Sequence, residues 1–495
     1  MSLRMRIVKH APMDTPHLTR LLVMLGGLGL AGCAAVGPDY APPAPEVPAS
    51  WNRLDMADKP VAHATATGDL SQWWRGLNDP LLSELIDEAL QASPDLRSAQ
   101  ARLREARARR TVAAAERFPS VTASGTARRS QSSEETGSGD TRNFFSAGFD
   151  ASWELDVFGG VRRSVEAAEA DLASTEASLD NTRVSLASEV ALNYVEVRTR
   201  QILLGIARDN LASQSETLQL TDWRAQAGLV SSQDVEQARS NREQTRAQIP
   251  ALETSLAEAE HGLDILLGRV PGTLHARLAA TGDLPAVPDQ IAVGIPADTL
   301  RQRPDVRAAE RRLAAETARV GVAEAARYPS FNLAGSIGLE ALTLGALGNS
   351  SAAASSLFAG ITGPIFDAGR LRAQVEIQDA VREQALVAYE QTVLVALQDV
   401  ENALVALARN RERVEALENA VESVRNAAQL ARQRYSAGLI DFQSVLDSER
   451  SVLVLEESLA SSRSNGVLAL IRLYKALGGG WSPQAAVRSV NKDAP

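Results

Sequence analysis

Phe145-Ser146-Ala147-Gly148-Phe149-Asp150-Ala151-Ser152-Trp153-Glu154-Leu155-Asp156 alternates without a break: every odd residue is apolar, and every even residue is Ser, Gly, Asp or Glu. Period two over this length marks a β-strand with one apolar face. Val121 to Arg128 alternates more weakly, and residues 129–142 between the two runs are polar and contain Gly. Together they read as a hairpin with a long loop over about 120–156. Further along, Phe331, Leu333, Gly335, Ile337 and Leu339 alternate with Asn332, Ala334, Ser336, Gly338 and Glu340. A small-residue loop at 343–356 and a strand from Leu357 to Phe366 would complete a second hairpin, about 330–366. Pro364 sits inside that last strand, where Pro is tolerated only near ends or edges.

The hairpins occupy matching places in an internal repeat of 210 residues. Pro94-Asp95 matches Pro304-Asp305, and Arg117-Phe118-Pro119-Ser120 matches Arg327-Tyr328-Pro329-Ser330. Ala227-Gly228-Leu229 matches Ala437-Gly438-Leu439, and Leu267-Gly268 matches Leu477-Gly478. A repeat this long implies a duplicated structural unit.

Around the hairpins the chain reads as helix. Asp95 to Arg117 is rich in Ala, Arg and Glu with no interior Pro or Gly, and Pro119 ends it. From about Gly160 to Ala227 runs a stretch whose sevenfold spacing is visible in Val165, Leu172, Leu179 and Leu186, then Val190, Val197, Leu204, Leu211 and Leu218. The second copy carries Val393, Val400, Leu407, Val414 and Val421. This spacing predicts coiled-coil packing. Gly at each Ala-Gly-Leu supplies a turn or C-cap. Returning helices follow, Gln233 to Leu267 and Gln443 to Leu477, about half as long as their partners. The Asp95–Arg117 helix has about the missing length, so the two would stack end to end against the long one. The domain organisation is then a signal segment 1–32, an extended Pro/Ala-rich segment 33–75, repeat 1 over 76–268, an equatorial linker 269–303, repeat 2 over 304–478, and a tail 479–495.

Composition bounds the function. Aromatics are only 4% of the 495 residues and net charge is −10, which suits long Ala-rich helices and gives no footprint for nucleic acid. None of the five His pairs at metal-ligand spacing, and there is no phosphate loop and no nucleophile turn. The sequence therefore points to no catalytic residue, metal or cofactor. Arg4, Arg6, Lys9 and Arg20 precede a short apolar run, Leu21 to Leu30, that ends in Leu30-Ala31-Gly32-Cys33. About ten apolar residues fit a secretory signal and are too few for a spanning helix.

Two amphipathic strands of about ten residues in each copy have the length of tilted membrane-crossing strands. Open edges are not tolerated in lipid, and four strands cannot close a barrel. Two chains would give eight strands and a filled interior, whereas three give twelve and leave room for a channel. The rival is a structural lipoprotein without a pore, its hairpins packed apolar face inward.

Leu30-Ala31-Gly32-Cys33, Gly37-Pro38-Asp39-Tyr40, Asp79-Pro80-Leu81, Arg303-Pro304-Asp305-Val306-Arg307 and Tyr435-Ser436-Ala437-Gly438 resemble the TolC-like outer-membrane factor superfamily, most closely its NodT/OprM-type efflux lipoproteins. The resemblance covers nearly all of residues 33–480. It implies a homotrimeric, twelve-stranded outer-membrane β-barrel continuous with a periplasmic α-helical coiled-coil barrel. It also implies a covalent lipid on Cys33, sorting to the outer membrane, a periplasmic adaptor and an inner-membrane pump of the proton-driven RND type. The client would be small toxic compounds or drugs, with type I protein secretion as the alternative. The family narrows its channel at the periplasmic helix tips, which by position implies Asp441, Asp447 and Arg450. The repeat-related residues Gln237 and Ser240 lack the charges of Asp447 and Arg450, and Arg450 lies one turn from Asp447, close enough to pair with it. Gly228, Leu229, Gly438 and Leu439, at the two turns, are the candidate adaptor contacts.

Overall fold

The computed structural model describes residues 35–52, 62–63, 69–280, 282–288 and 291–481. The signal segment, Cys33 and the tail beyond Trp481 lie outside the described residues. In chain order the helices are α1 (Pro80–Ala92), α2 (Pro94–Ala115), α3 (Gly160–Gln226), α4 (Ser232–Leu266), α5 (His275–Leu278), α6 (Pro296–Gln302), α7 (Pro304–Ala325), α8 (Arg370–Ser436) and α9 (Phe442–Ala476). The strands are β1 (Ala62–His63), β2 (Ser120–Gln131), β3 (Thr141–Leu155), β4 (Ile291–Ala292), β5 (Ser330–Ala341) and β6 (Ala353–Thr362). The bounds of α2, β2, α3 and α4 recur in α7, β5, α8 and α9 after 210 residues.

The repeat extends to the backbone angles. Gly159, Gly228 and Gly268 have φ of 82°, 73° and 69°, and Gly369, Gly438 and Gly478 have 85°, 77° and 78°. The last two of each set close helices by a shared bond pattern. The residue after Gly donates to a carbonyl five residues back, as in Leu229 N to Arg224 O at 2.9 Å and Leu439 N to Arg434 O at 2.9 Å. Gly itself donates three residues back, Gly228 N to Ala225 O and Gly438 N to Tyr435 O, both 2.9 Å. This is a Schellman end, which needs a left-handed residue.

The chain divides into two compact units. One comprises residues 106–172 and 311–386 with the start of the chain, and holds an antiparallel sheet of order β2-β3-β5-β6. Its strands run 12, 15, 12 and 10 residues. The strand expected over Leu357–Phe366 is a correction: β6 starts earlier and stops at Thr362, before Gly363 and Pro364. A proline has no N–H to give the ladder, so pairing ends ahead of it. The loop expected at 343–356 is correspondingly shorter, with two 3-10 turns, Leu344–Ala346 and Ser350–Ala352. The first loop also shrinks, because β2 reaches Gln131 and β3 begins at Thr141.

The other unit comprises residues 43–105, 173–310 and 387–495. Its largest core joins Trp51, Trp73, Trp74, Leu82, Leu85 and Ile86 to Val190, Tyr194 and Val197 of α3 and to Leu470 and Ile471 of α9. Val190, Val197, Val400 and Leu407, expected at core positions of the heptads, are all buried. The abutment of short helices is visible at the closing glycines. A Cβ on Gly268 would lie 3.0 Å from Ala92 O and 3.1 Å from Pro94, and one on Gly478 would lie 3.2 Å from Gln302 O. The end of α4 thus meets the start of α2, and the end of α9 meets the start of α7. A short parallel pair, β1 with β4, joins the linker segments.

Candidate channel wall and helix tips

Sheet register assigns each strand residue to a face. Phe149 pairs with Ile337, Trp153 with Leu333, and Leu155 with Phe331, which pairs in turn with Ile361. These odd positions share one face. Phe149, Ile337, Leu357 and Ile361 on it are 59%, 66%, 81% and 68% exposed. A hairpin packed apolar side inward on its own helices would bury them, so the rival without a pore loses its physical basis. The other face carries Thr122, Ser124, Asp150, Ser152, Asn332, Ser336 and Ser356, with Ser124 Oγ donating to Asp150 at 2.7 Å. An apolar outer face and a polar inner one describe a barrel wall. Among the described residues β2 and β6 pair on one side only, and such edges persist in lipid only if other chains close them. Aromatic groups gather where strands meet helices. Phe158 stacks on Tyr328 at 4.6 Å and lies 6.3 Å from Phe331, and Trp153 Nε1 donates to Arg117 O at 3.1 Å. Aromatic residues at the end of an apolar wall are what an interfacial girdle requires.

At the opposite ends of α3 and α8, the tips are tied together. The Arg224 guanidinium lies 4.4 Å over the Tyr435 ring and donates to the Tyr435 carbonyl. Tyr435 is buried and its hydroxyl donates to Thr221 Oγ1 at 3.4 Å. Ala238, Ala431, Phe442, Val445 and Leu446 close a small core around it. Leu229 and Leu439 are 66% and 73% exposed beside Gly228 and Gly438, as a contact surface needs.

The three aperture candidates differ in what holds them. Asp441 caps α9, accepting from Ser444 N at 3.1 Å and Ser444 Oγ at 2.7 Å, and these bonds hold its carboxyl below the usual range. Its repeat partner Ser231 caps α4 with a reciprocal box through Asp234. Asp447 accepts from Gln443 Nε2 at 2.9 Å. Arg450 Nε donates to Asn241 Oδ1 at 3.2 Å, tying α9 to α4. The expected Asp447–Arg450 pair is therefore a correction: among the described residues each has a different partner. One turn of separation permits an ion pair between exposed side chains but gives little energy to hold it.

Sequence reasoning missed Glu449. It is 3% exposed, accepts from Thr217 Oγ1 at 2.6 Å, and lies 3.7 Å from Arg432. Burial pushes its carboxyl up, partly offset by Thr217 and Arg432. Its repeat partner is Arg239, so the departure from repetition that singled out Asp447 and Arg450 was available here as well.

A membrane-facing sheet open at both edges among the described residues, carried with long paired helices on a duplicated chain, defines a channel-forming protein built from several copies. Residues 85–269 and 295–479 match the family described as Outer membrane efflux protein, and the two segments repeat the 210-residue spacing. Nodulation protein T of Rhizobium leguminosarum bv. trifolii is 34% identical over 95% of this chain and 99% of its own length. The toluene efflux pump outer membrane protein TtgI of Pseudomonas putida is 32% identical over 93% of this chain and 98% of its own. The solved outer-membrane channel OprN superposes with a TM-score of 0.85 and 37% identity, over 91% of this chain and all of that one. The chain belongs to the outer membrane efflux protein family. It is a passive outer-membrane duct of a tripartite efflux system and not an enzyme, and its four strands are one third of a trimeric twelve-stranded barrel.

Proposed function

We propose that this duct discharges small toxic or apolar compounds delivered by a periplasmic adaptor and an RND-type inner-membrane pump. The observation that carries the reading is the sheet, with its exposed apolar face and two open edges. Relatives named for toluene and antibiotic efflux support the client class. Acyl chains on Cys33 would add a second membrane hold to the barrel. Asp441, Asp447 and Arg450 form the periplasmic aperture, where threefold symmetry would bring like charges round one axis. An acidic ring there favours cations. Gly228, Leu229, Gly438 and Leu439 present the adaptor surface. Detergent-extracted protein in a planar bilayer is expected to give discrete cation-selective conductance, and a strain lacking the chain to become sensitive to solvents and lipophilic drugs. A full-length protein that conducts nothing would overturn the reading.

A further inference from the structure

Two aromatic rings break the polar face of the sheet: Phe144, paired with Arg128 near the loop end of β2 and β3, and Phe358 on β6. Phe358 pairs with Ala334, which pairs with Ser152. The ring therefore stands among Ser152, Asn332, Ser336 and Ser356, not with Phe149, Ile337 and Leu357 on the opposite face. It is 62% exposed. Gly360, the next residue on that face of β6, leaves room for it: a Cβ there would lie 2.7 Å from the ring carbon Cε1. The ring thus lies along the strand toward the helix-bearing end. The same face carries Asp150, Glu154 and Glu340, while Arg128 and Arg142 stand near the loop end of β2 and β3.

An aromatic ring held against water gains free energy when an apolar solute covers it, and a nearby cation gains from its π face. Carboxylates on the wall raise the local concentration of cations. We infer that Phe358, once per chain around the barrel, is a solute-contact residue of the lumen that retards and selects apolar cations. This rests on the duct reading, because only a barrel makes the polar face a lumen. The structural alternative is that the ring packs against a neighbouring chain's wall.

The test is block of potassium current through the full-length trimer by tetraphenylphosphonium, with tetramethylammonium and tetraphenylborate as controls. For Phe358→Ala, tetraphenylphosphonium block is expected to weaken roughly threefold to tenfold, with tetramethylammonium, which has far less apolar surface to lay on the ring, weakened less and open-channel conductance kept. Phe358→Tyr should keep the block, and tetraphenylborate should block weakly throughout. Equal tetraphenylphosphonium block in wild type and Phe358→Ala would overturn the assignment while leaving the duct intact, whereas a wild type without conductance would overturn both. If Phe358→Ala yields no trimer, Phe358→Leu decides, since it keeps bulk without a π face: undiminished block there, or failure of this variant to assemble, makes the ring a packing element and ends the proposal.

Discussion

Arg303 shows what a short motif does physically. Its guanidinium, 7% exposed as a residue, donates to Asp305 at 2.6 Å, Asp399 at 3.2 Å and the carbonyls of Ala396 and Ala476 at 3.4 and 3.1 Å. One side chain thus ties the start of α7 to α8 and to the end of α9. The sequence displayed Arg303-Pro304-Asp305 as a family mark, but no periodicity announced that three chain segments converge on it. Arg303→Ala is expected to cost about 1–3 kcal/mol, since it leaves the buried Ala396 and Ala476 carbonyls without their donor, while Asp305 and Asp399 remain partly open to water. The readout is a lower melting temperature of the trimer, and Arg303→Lys should not restore it, because an ammonium lacks the planar fork. Gly228 and Gly438 are simpler. Nothing described lies within 4 Å of a Cβ on Gly228, and only Arg224 Nη2, at 3.7 Å, approaches one on Gly438. Ala at either place should cost about 1 kcal/mol through positive φ alone, and Asn, which tolerates that region, should cost less. Amide exchange at residues 224–232 and 434–442 would show faster opening in the Ala variants. Adaptor cross-linking from cysteines at Leu229 and Leu439 should persist in the Asn variants, and no adduct from either position would remove the tips from the contact.

At the scale of elements, the duplicated helices were legible because heptads, closing glycines and proline breaks are local signals. The paired tips were not, because Arg224, Tyr435 and Glu449 find partners on other helices. Glu449 gives the tip a pH dependence with a definite sign. Its folded carboxyl is raised above the unfolded value, so the folded tip binds the proton more tightly. That contribution is present at acid pH and declines as pH rises from the ordinary carboxylate range through the raised one. Thr217 on α3 and Arg432 on α8 face it, and Arg432 limits the effect. Amide protection in residues 445–453, corrected for intrinsic exchange, should therefore rise on mild acidification in the wild type. Glu449→Gln should hold it nearly constant across that range, and the same slope in both proteins would remove Glu449 as the source.

For the whole molecule, the quantity to test is the aperture proposed at the tips. Arg450 reaches Asn241 on the first copy while Asp447 turns to Gln443, so the two charges brace separate contacts. Asp447→Ala combined with Arg450→Ala is expected to raise single-channel conductance in a planar bilayer and to lower cation selectivity. Unchanged conductance and selectivity would place the constriction elsewhere. The sheet makes the larger point about assembly. Among the described residues one chain supplies a four-stranded sheet with an apolar outer face and two unpaired edges, and only copies of the chain can satisfy both.

Sequence alone carries the duplicated architecture, the strand faces and the helix ends, because each is written as a regular spacing along the chain: two for strands, seven for coiled helices, 210 for the repeat. It also placed the family, through motifs that keep their order along the chain. Tertiary structure decided what those motifs hold. It separated Asp447 from Arg450, buried Glu449, and set Phe358 on the polar face of the wall. Arg450 depends on Asn241, Glu449 on Thr217 and Phe358 on the register of β5, all tens or hundreds of residues away, whereas the end of β6 follows from Pro364 itself. No local pattern records what a folded neighbour will offer as a hydrogen bond, a charge or a space.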